Sequence, residues 1–221
     1  MAAVDDYLFD RAAQIAAQVS LPWAELDGKT ILVTGSTGLI GSQIVRTLLS
    51  RNDRVRAGIK VILPVRNIKK AQVLFGDRSD ASVLEWSLGD ELVGPEHVDY
   101  VVHAACGTSS KSFLETPATT IIQIVHGGEA VLRFACSADA QKVLFLSTME
   151  VYGEVEGVAT EDNLGRLDPM VVRNSYPEAK RLVECLCASY AAEHDVPSVV
   201  MRLAQTFGEG VHPDDLSLIH I

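Results

Sequence analysis

Three short runs in this 221-residue chain carry residue types that could do chemistry. The first is Tyr176-Pro177-Glu178-Ala179-Lys180. Side chains four apart on a helix share one face, so Tyr176 and Lys180 project together. An ammonium near a phenol favours the phenolate and draws the tyrosine pKa down toward neutrality. A phenolate available near neutral pH can take the proton of an alcohol. The second run is Leu146-Ser147-Thr148-Met149-Glu150-Val151-Tyr152-Gly153, where a hydroxyl and a carboxylate close an apolar stretch. The third is Thr34-Gly35-Ser36-Thr37-Gly38-Leu39-Ile40-Gly41, directly after the apolar Ile31-Leu32-Val33. Each run alone is a weak signal. Their order along one chain makes them specific.

The elements that must position these runs alternate. Strands are expected at 31–33, 61–65, 83–86, 100–105, 143–147 and 199–203, with helices near 40–50, 119–137 and 177–193. Short all-apolar strands alternating with helices indicate α/β architecture, a doubly wound parallel sheet covered on both faces. The third run then falls between a buried strand and a helix, where a glycine turn cradles phosphates. Gly35 permits the tight turn, Gly38 a close backbone approach to a pyrophosphate, and Gly41 packing of the helix on the sheet. The free N–H groups and partial positive charge of the helix start complete an anion site. The cofactor-binding residues expected here are Gly35, Thr37, Gly38, Leu39, Ile40 and Gly41. Ahead of the core, 5–19 has helical spacing with Leu8, Ala12, Ile15 and Val19 on one face, broken by Leu21-Pro22-Trp23.

Composition narrows the partners. Apolar residues at 48% and charged residues at 22% describe a globular chain. A formal charge of −10 with no basic cluster argues against nucleic acid or an anionic membrane as partner. No apolar run approaches the roughly 20 residues a membrane span needs, and Asp5, Asp6, Asp10 and Arg11 do not read as a signal peptide. A cytoplasmic location is expected. Cys106, Cys136, Cys185 and Cys187 form no zinc-spaced set, so buried reduced thiols and no metal are expected. His126, His194 and His212 show no ligand spacing and are read as surface or helix-face residues.

The spacing G-x-x-G-x-x-G after Thr34 resembles the T-G-x-x-G-x-x-G signature of the extended short-chain dehydrogenase/reductases, and the likeness continues along most of the chain. Ser147 to Gly153 resembles the S-[ST]-x-x-V-Y-G motif of nucleotide-sugar epimerases, dehydratases and decarboxylases. The resemblance implies a Rossmann-type domain that binds NAD or NADP, a nucleotide-sugar substrate, and a homodimer built on the two long helices. It also implies catalytic roles for Thr148, Glu150, Tyr176 and Lys180, the last two also touching the cofactor, with Thr148 sharing the substrate proton. His103-Ala104-Ala105 matches the family's H-x-A strand end, so Ala104 and Ala105 are expected against the cofactor, and Ser109 and Ser110 against the substrate. For the dimer, Leu182, Leu186, Tyr190, Val125 and Leu132 could supply a second apolar stripe.

Departures from the family pattern sharpen the reading. Dehydratases of the family read T-D-E where this chain has Thr148-Met149-Glu150, and Met149 cannot donate a proton. Dehydration is therefore disfavoured, and the T-S-E of UDP-glucuronate decarboxylases is the better match. Ser175 to Glu184 also resembles their C-Y-D-E-G-K-R-x-x-E-T segment. At the end of strand two, where an NAD enzyme usually has an acid, stands Arg66, which could pair with the 2′-phosphate of NADP. Ser87 replaces an adenine-side Asp, and Ile124 a helix Asn. The organisation read from this is a helical extension over 1–27, the dinucleotide-binding domain over 28–210, and 211–221 as the start of a truncated substrate domain or a non-native tail. The leading function is decarboxylase-like, with a 4-epimerase next. An NADPH-dependent carbonyl reductase and a non-catalytic dinucleotide sensor are the alternatives. The fragment itself is expected to be nearly inactive.

Overall fold

The computed structural model describes residues 2–107 and 110–208. Six strands form one sheet: β1 (Thr30–Thr34), β2 (Lys60–Val65), β3 (Ala81–Glu85), β4 (Tyr100–His103), β5 (Lys142–Thr148) and β6 (Ser198–Leu203). Their order is β3-β2-β1-β4-β5-β6, and every neighbouring pair is parallel. The chain winds outward from β1 to β3, returns to β4 on the other side of β1, and winds outward again. This is the doubly wound arrangement expected from the sequence. The point where the direction reverses lies between β1 and β4, and ligands of such sheets bind at that crevice.

The helices are α1 (Ala2–Ala16), α2 (Leu39–Val55), α3 (Ile68–Phe75), α4 (Ser110–Glu115), α5 (Pro117–Ser137) and α6 (Ser175–His194). Side chains alternate across a strand, which sorts the central residues into two cores. Leu32, Ile62 and Val101 face one cluster that includes Ile124, Val131, Leu132, Tyr176 and Val183 of α5 and α6. Ile31, Val33, Val61, Leu63 and Val102 face the other, with Val45, Leu49 and Ala71 of α2 and α3. Continuous apolar strands are what a sheet covered on both faces requires.

Several expectations are corrected. The buried face of α1 is Leu8, Ala12 and Ala16, whereas Ile15 is 41% and Val19 98% exposed. The helix ends at Ala16, so Val19 lies beyond its periodicity. Helices α3 and α4 are short and are not among the helices expected from the sequence; α3 is announced by Asn67, whose side chain accepts from the Lys70 N–H as an N-cap. The residues expected to form a second apolar stripe differ in burial within the chain. Leu132 is buried, and Val125, Leu186 and Tyr190 pack against the core, which leaves Leu182 exposed. All four cysteines are free, but only Cys187 is buried, and Cys185 is exposed. Burial pushes the Cys187 thiol up to about 11, away from the reactive thiolate. Ile124 sits in the core instead of making a polar contact. His126 and His194 are exposed as expected, while His212 and residues 211–221 lie outside the described residues.

Candidate active site

The glycine turn leaves β1 at the reversal point. Gly35 adopts φ +67°, and a Cβ there would stand 2.6 Å from the Ala104 carbonyl and the Ala105 nitrogen. The end of β4 therefore packs directly on this turn. A Cβ at Gly41 would collide with the Gly35 carbonyl, so this glycine serves the turn itself and not, as expected, the helix–sheet contact. Gly38 is the exposed N-cap of α2 and makes no side-chain capping bond, and no acidic residue occupies the helix's first turn. Thr37, Leu39 and Ile40 are half-buried around it. A 17-residue helix with an uncapped, unopposed positive end and a cradle with no side-chain bulk fits a dinucleotide pyrophosphate.

His103 ties the two strand ends together. Its Nδ1 lies 2.8 Å from the Thr34 hydroxyl, which accepts the Ala105 N–H at 3.2 Å. This contact sets Ala104 and Ala105, both half-buried, against Gly35. Burial, and secondarily the nearby positive Lys180, pulls the His103 pKa down to about 3, so the ring is neutral.

The candidate catalytic residues assemble at the C-terminal end of β5. Thr148 ends the strand and caps a single 3-10 turn over Met149–Tyr152, accepting the Glu150 N–H at 3.3 Å. Tyr176, at the start of α6, is buried and stacks on Phe113 of α4 at 4.4 Å between ring centres. Burial holds the phenol above the ordinary tyrosine range, and the charge of Cys106 and of Glu150 pushes the same way. A hydrogen bond from Thr148 and the charge of Arg173 act in the opposite direction and favour the phenolate. Lys180, one turn further along α6, reaches the same end of β5. Lys180 is buried, donates to the Leu146 carbonyl at 2.9 Å and lies 4.7 Å from the centre of the Phe145 ring. The structure thus brings Thr148, Glu150 and Tyr176 together, with Lys180 anchoring α6 to β5 beneath them. Met149 is exposed, in the position where a proton donor would stand in a dehydratase.

Arg66 is exposed just past β2, and among the described residues it has no ion-pair partner. Ser109 lies outside the described residues; Ser110 begins α4, and its side chain is not described. Two groups escape the sequence reading. Arg173 pairs with Glu150 at 2.9 Å, and its signal is a cation one turn before Tyr176. Glu184 accepts from Ser147 at 2.5 Å and from Arg202 at 2.8 Å, joining α6, β5 and β6 beside Thr148. Its signal is an acid one turn after Lys180 on the same helix face. Among the described residues there is no cluster that could hold a metal ion, and no helix long and apolar enough to cross a membrane.

The model of the NAD dependent epimerase/dehydratase family matches residues 31–220. The chain belongs to that family. Among its relatives, the low-salt glycan biosynthesis protein Agl12 of Haloferax volcanii is 31% identical over 190 residues, covering 84% of this chain and 59% of the relative. UDP-glucuronic acid decarboxylase 6 of Arabidopsis thaliana is 30% identical over 194 residues, covering 84% and 53%. A UDP-glucuronic acid 4-epimerase from Bacillus cereus, solved in complex with NAD, superposes with a TM-score of 0.64 at 25% identity, covering 84% of this chain and 59% of that one. The chain thus spans between half and three-fifths of the length of these relatives.

Proposed function

We propose that the whole protein acts on a nucleotide-activated uronic acid, oxidising a sugar hydroxyl transiently in a decarboxylase-like reaction. The observation that carries this reading is the group at the end of β5. Thr148 lies beside Tyr176 and favours its phenolate, Glu150 is retained next to them, and an exposed Met149 stands where dehydration would need an acid. Similarity to a UDP-glucuronic acid decarboxylase and to a UDP-glucuronic acid 4-epimerase supports the same substrate class. A bound nicotinamide supplies the acceptor, and later the donor, of hydride, together with a positive charge close to the phenol. Tyr176, as phenolate, takes the hydroxyl proton and becomes a neutral phenol. Thr148, with one O–H donor, steadies that phenolate before the transfer and can accept from the sugar hydroxyl. The glycine turn with Ala104 and Ala105 would hold the dinucleotide at the strand ends. Oxidation at C4 of a uronate leaves a ketone β to the carboxylate. Carbon dioxide can then depart because the ketone takes up the electron pair.

NAD is the family's cofactor, and Arg66 would add affinity for the 2′-phosphate of NADP. The test is to incubate the whole protein with NAD or NADP and a panel of nucleotide sugars, following products by NMR and the nicotinamide by absorbance. The expected outcome is a pentose nucleotide and carbon dioxide with no net change in reduced cofactor. Stoichiometric consumption of NADPH would instead establish a carbonyl reductase, and a uronate returned as its C4 epimer would establish the 4-epimerase.

A further inference from the structure

Among the described residues, four cations stand around the end of β5, and three are committed to the protein itself. Lys180 donates to the Leu146 carbonyl, Arg181 to the carbonyls of Val151 at 2.7 Å and Gly165 at 2.9 Å, and Arg202 to the Glu184 carboxylate. Arg173 differs in place and in surroundings. Its side chain is 44% exposed, lies in the short turn Val172–Asn174 that leads into α6, and meets the Glu150 carboxylate at 2.9 Å. The guanidinium also lies 5.6 Å from the centre of the Phe113 ring, the ring that stacks on Tyr176. It therefore adjoins the ring stack that holds the base, and among the described residues its charge is met only by a partly exposed carboxylate.

We propose that Arg173 grips an anionic group of the sugar, a carboxylate on C5, and that Glu150 is the counter-ion that holds the guanidinium ready. The proposal rests on the uronate reading above and names the residue that selects it. A guanidinium carries five N–H donors in a planar fork, more than one carboxylate takes up, and the fork matches a second carboxylate in two-point contact. Electrostatics makes such a cation necessary. A uronate brought beside Thr148 and Tyr176 comes close to Glu150, and two carboxylates with no cation between them repel. With Arg173 in place the incoming anion completes a row of alternating charge. Both charges already reach the reacting group, since Arg173 favours and Glu150 opposes ionisation of the Tyr176 phenol. A carboxylate held by a guanidinium is also a poorer source of carbon dioxide, so the residue acts in selection and not in bond breaking.

The test uses the whole protein loaded with NAD and compares wild type, Arg173→Met and Arg173→Lys. Binding of UDP-glucuronate and UDP-glucose is measured by calorimetry, and turnover of the uronate by product formation. In the Met variant the uronate should bind at least tenfold more weakly and UDP-glucose less than threefold more weakly, with KM rising more than kcat falls. Lysine should restore part of the difference. Retained NAD and an unchanged melting temperature report that the variants fold. A wild type that prefers the uronate and a Met variant that keeps this preference would remove Arg173 while leaving the uronate reading standing; equal weakening of both sugars would do the same. A wild type indifferent to the carboxylate would overturn both together.

Discussion

The turn after β1 and the end of β5 lie at the same C-terminal end of the parallel strands but are specified by different means. Around Gly35 the determinants are backbone atoms: the chain of β4 occupies the space a side chain would need. Around Thr148 they are polar side chains half-hidden or buried between elements. Glu184 joins Ser147 and Arg202, Lys180 holds the Leu146 carbonyl, and Arg181 holds the carbonyls of Val151 and Gly165. The first region is shaped by the room it leaves, and the second by the charges it places. Added atoms should therefore damage the first, and lost polarity the second.

Tyr176→Phe should have the largest effect, because it removes one oxygen from the charge-placing region and nothing from the fold. Proton transfer by a positioned side chain contributes roughly 10²- to 10⁴-fold to rate, so turnover by the whole protein should fall by that factor while NAD affinity stays within about twofold. Activity within tenfold of wild type would take the proton transfer away from Tyr176. Gly35→Ala tests the other region. Left-handed backbone costs a non-glycine residue about 1–2 kcal/mol, and overpacking adds about 1–3 kcal/mol. Gly157 is a built-in control: it has φ +84°, and a Cβ added there would meet nothing within 4 Å, so Gly157→Ala should cost the backbone strain alone. Urea unfolding should show Gly35→Ala losing stability beyond the control, together with dinucleotide binding. Equal losses would mean that the close approach of β4 does not constrain the turn.

The two regions are also unequally legible in the sequence. Backbone geometry leaves a direct trace, because glycines at fixed spacing after a buried strand serve little purpose except a tight turn. The sheet is readable for a similar reason: continuous apolar runs announce strands buried on both faces. Polar contacts between distant segments leave much less. The spacing of Tyr176 and Lys180 shows that they share a helix face, but not that Lys180 turns to the Leu146 carbonyl, 34 residues away in sequence. The apolar face of α5 and α6 is visible, whereas its division between core and surface depends on how closely the two helices approach. Short helices such as α4 bury too little to impose a periodicity, yet this one carries Phe113 to the phenol.

His103 joins the two regions, since it bonds Thr34 of one and feels the charge of Lys180 in the other. Its pKa is depressed from the ordinary 6.5 to about 3, first by burial. A group with a depressed folded pKa stabilises the fold fully above its unfolded value and less as pH falls toward the folded one. Between pH 6.5 and 3 the unfolded chain takes up a proton that the folded chain refuses. This costs about 1.4 kcal/mol of stability per pH unit once the pH is well below 6.5. From pH 7 to pH 5 the loss from this one residue should be about 2 kcal/mol. Unfolding by urea at several pH values checks it, with His103→Gln as the reference, because glutamine does not titrate and other groups titrate alike in both proteins. The wild-type curve should fall more steeply than that of the variant below pH 6.5, the two running parallel above it. Parallel curves throughout would show that the imidazole accepts a proton in the folded chain, and that the bond between Thr34 and His103 does not keep the ring neutral where the two regions meet.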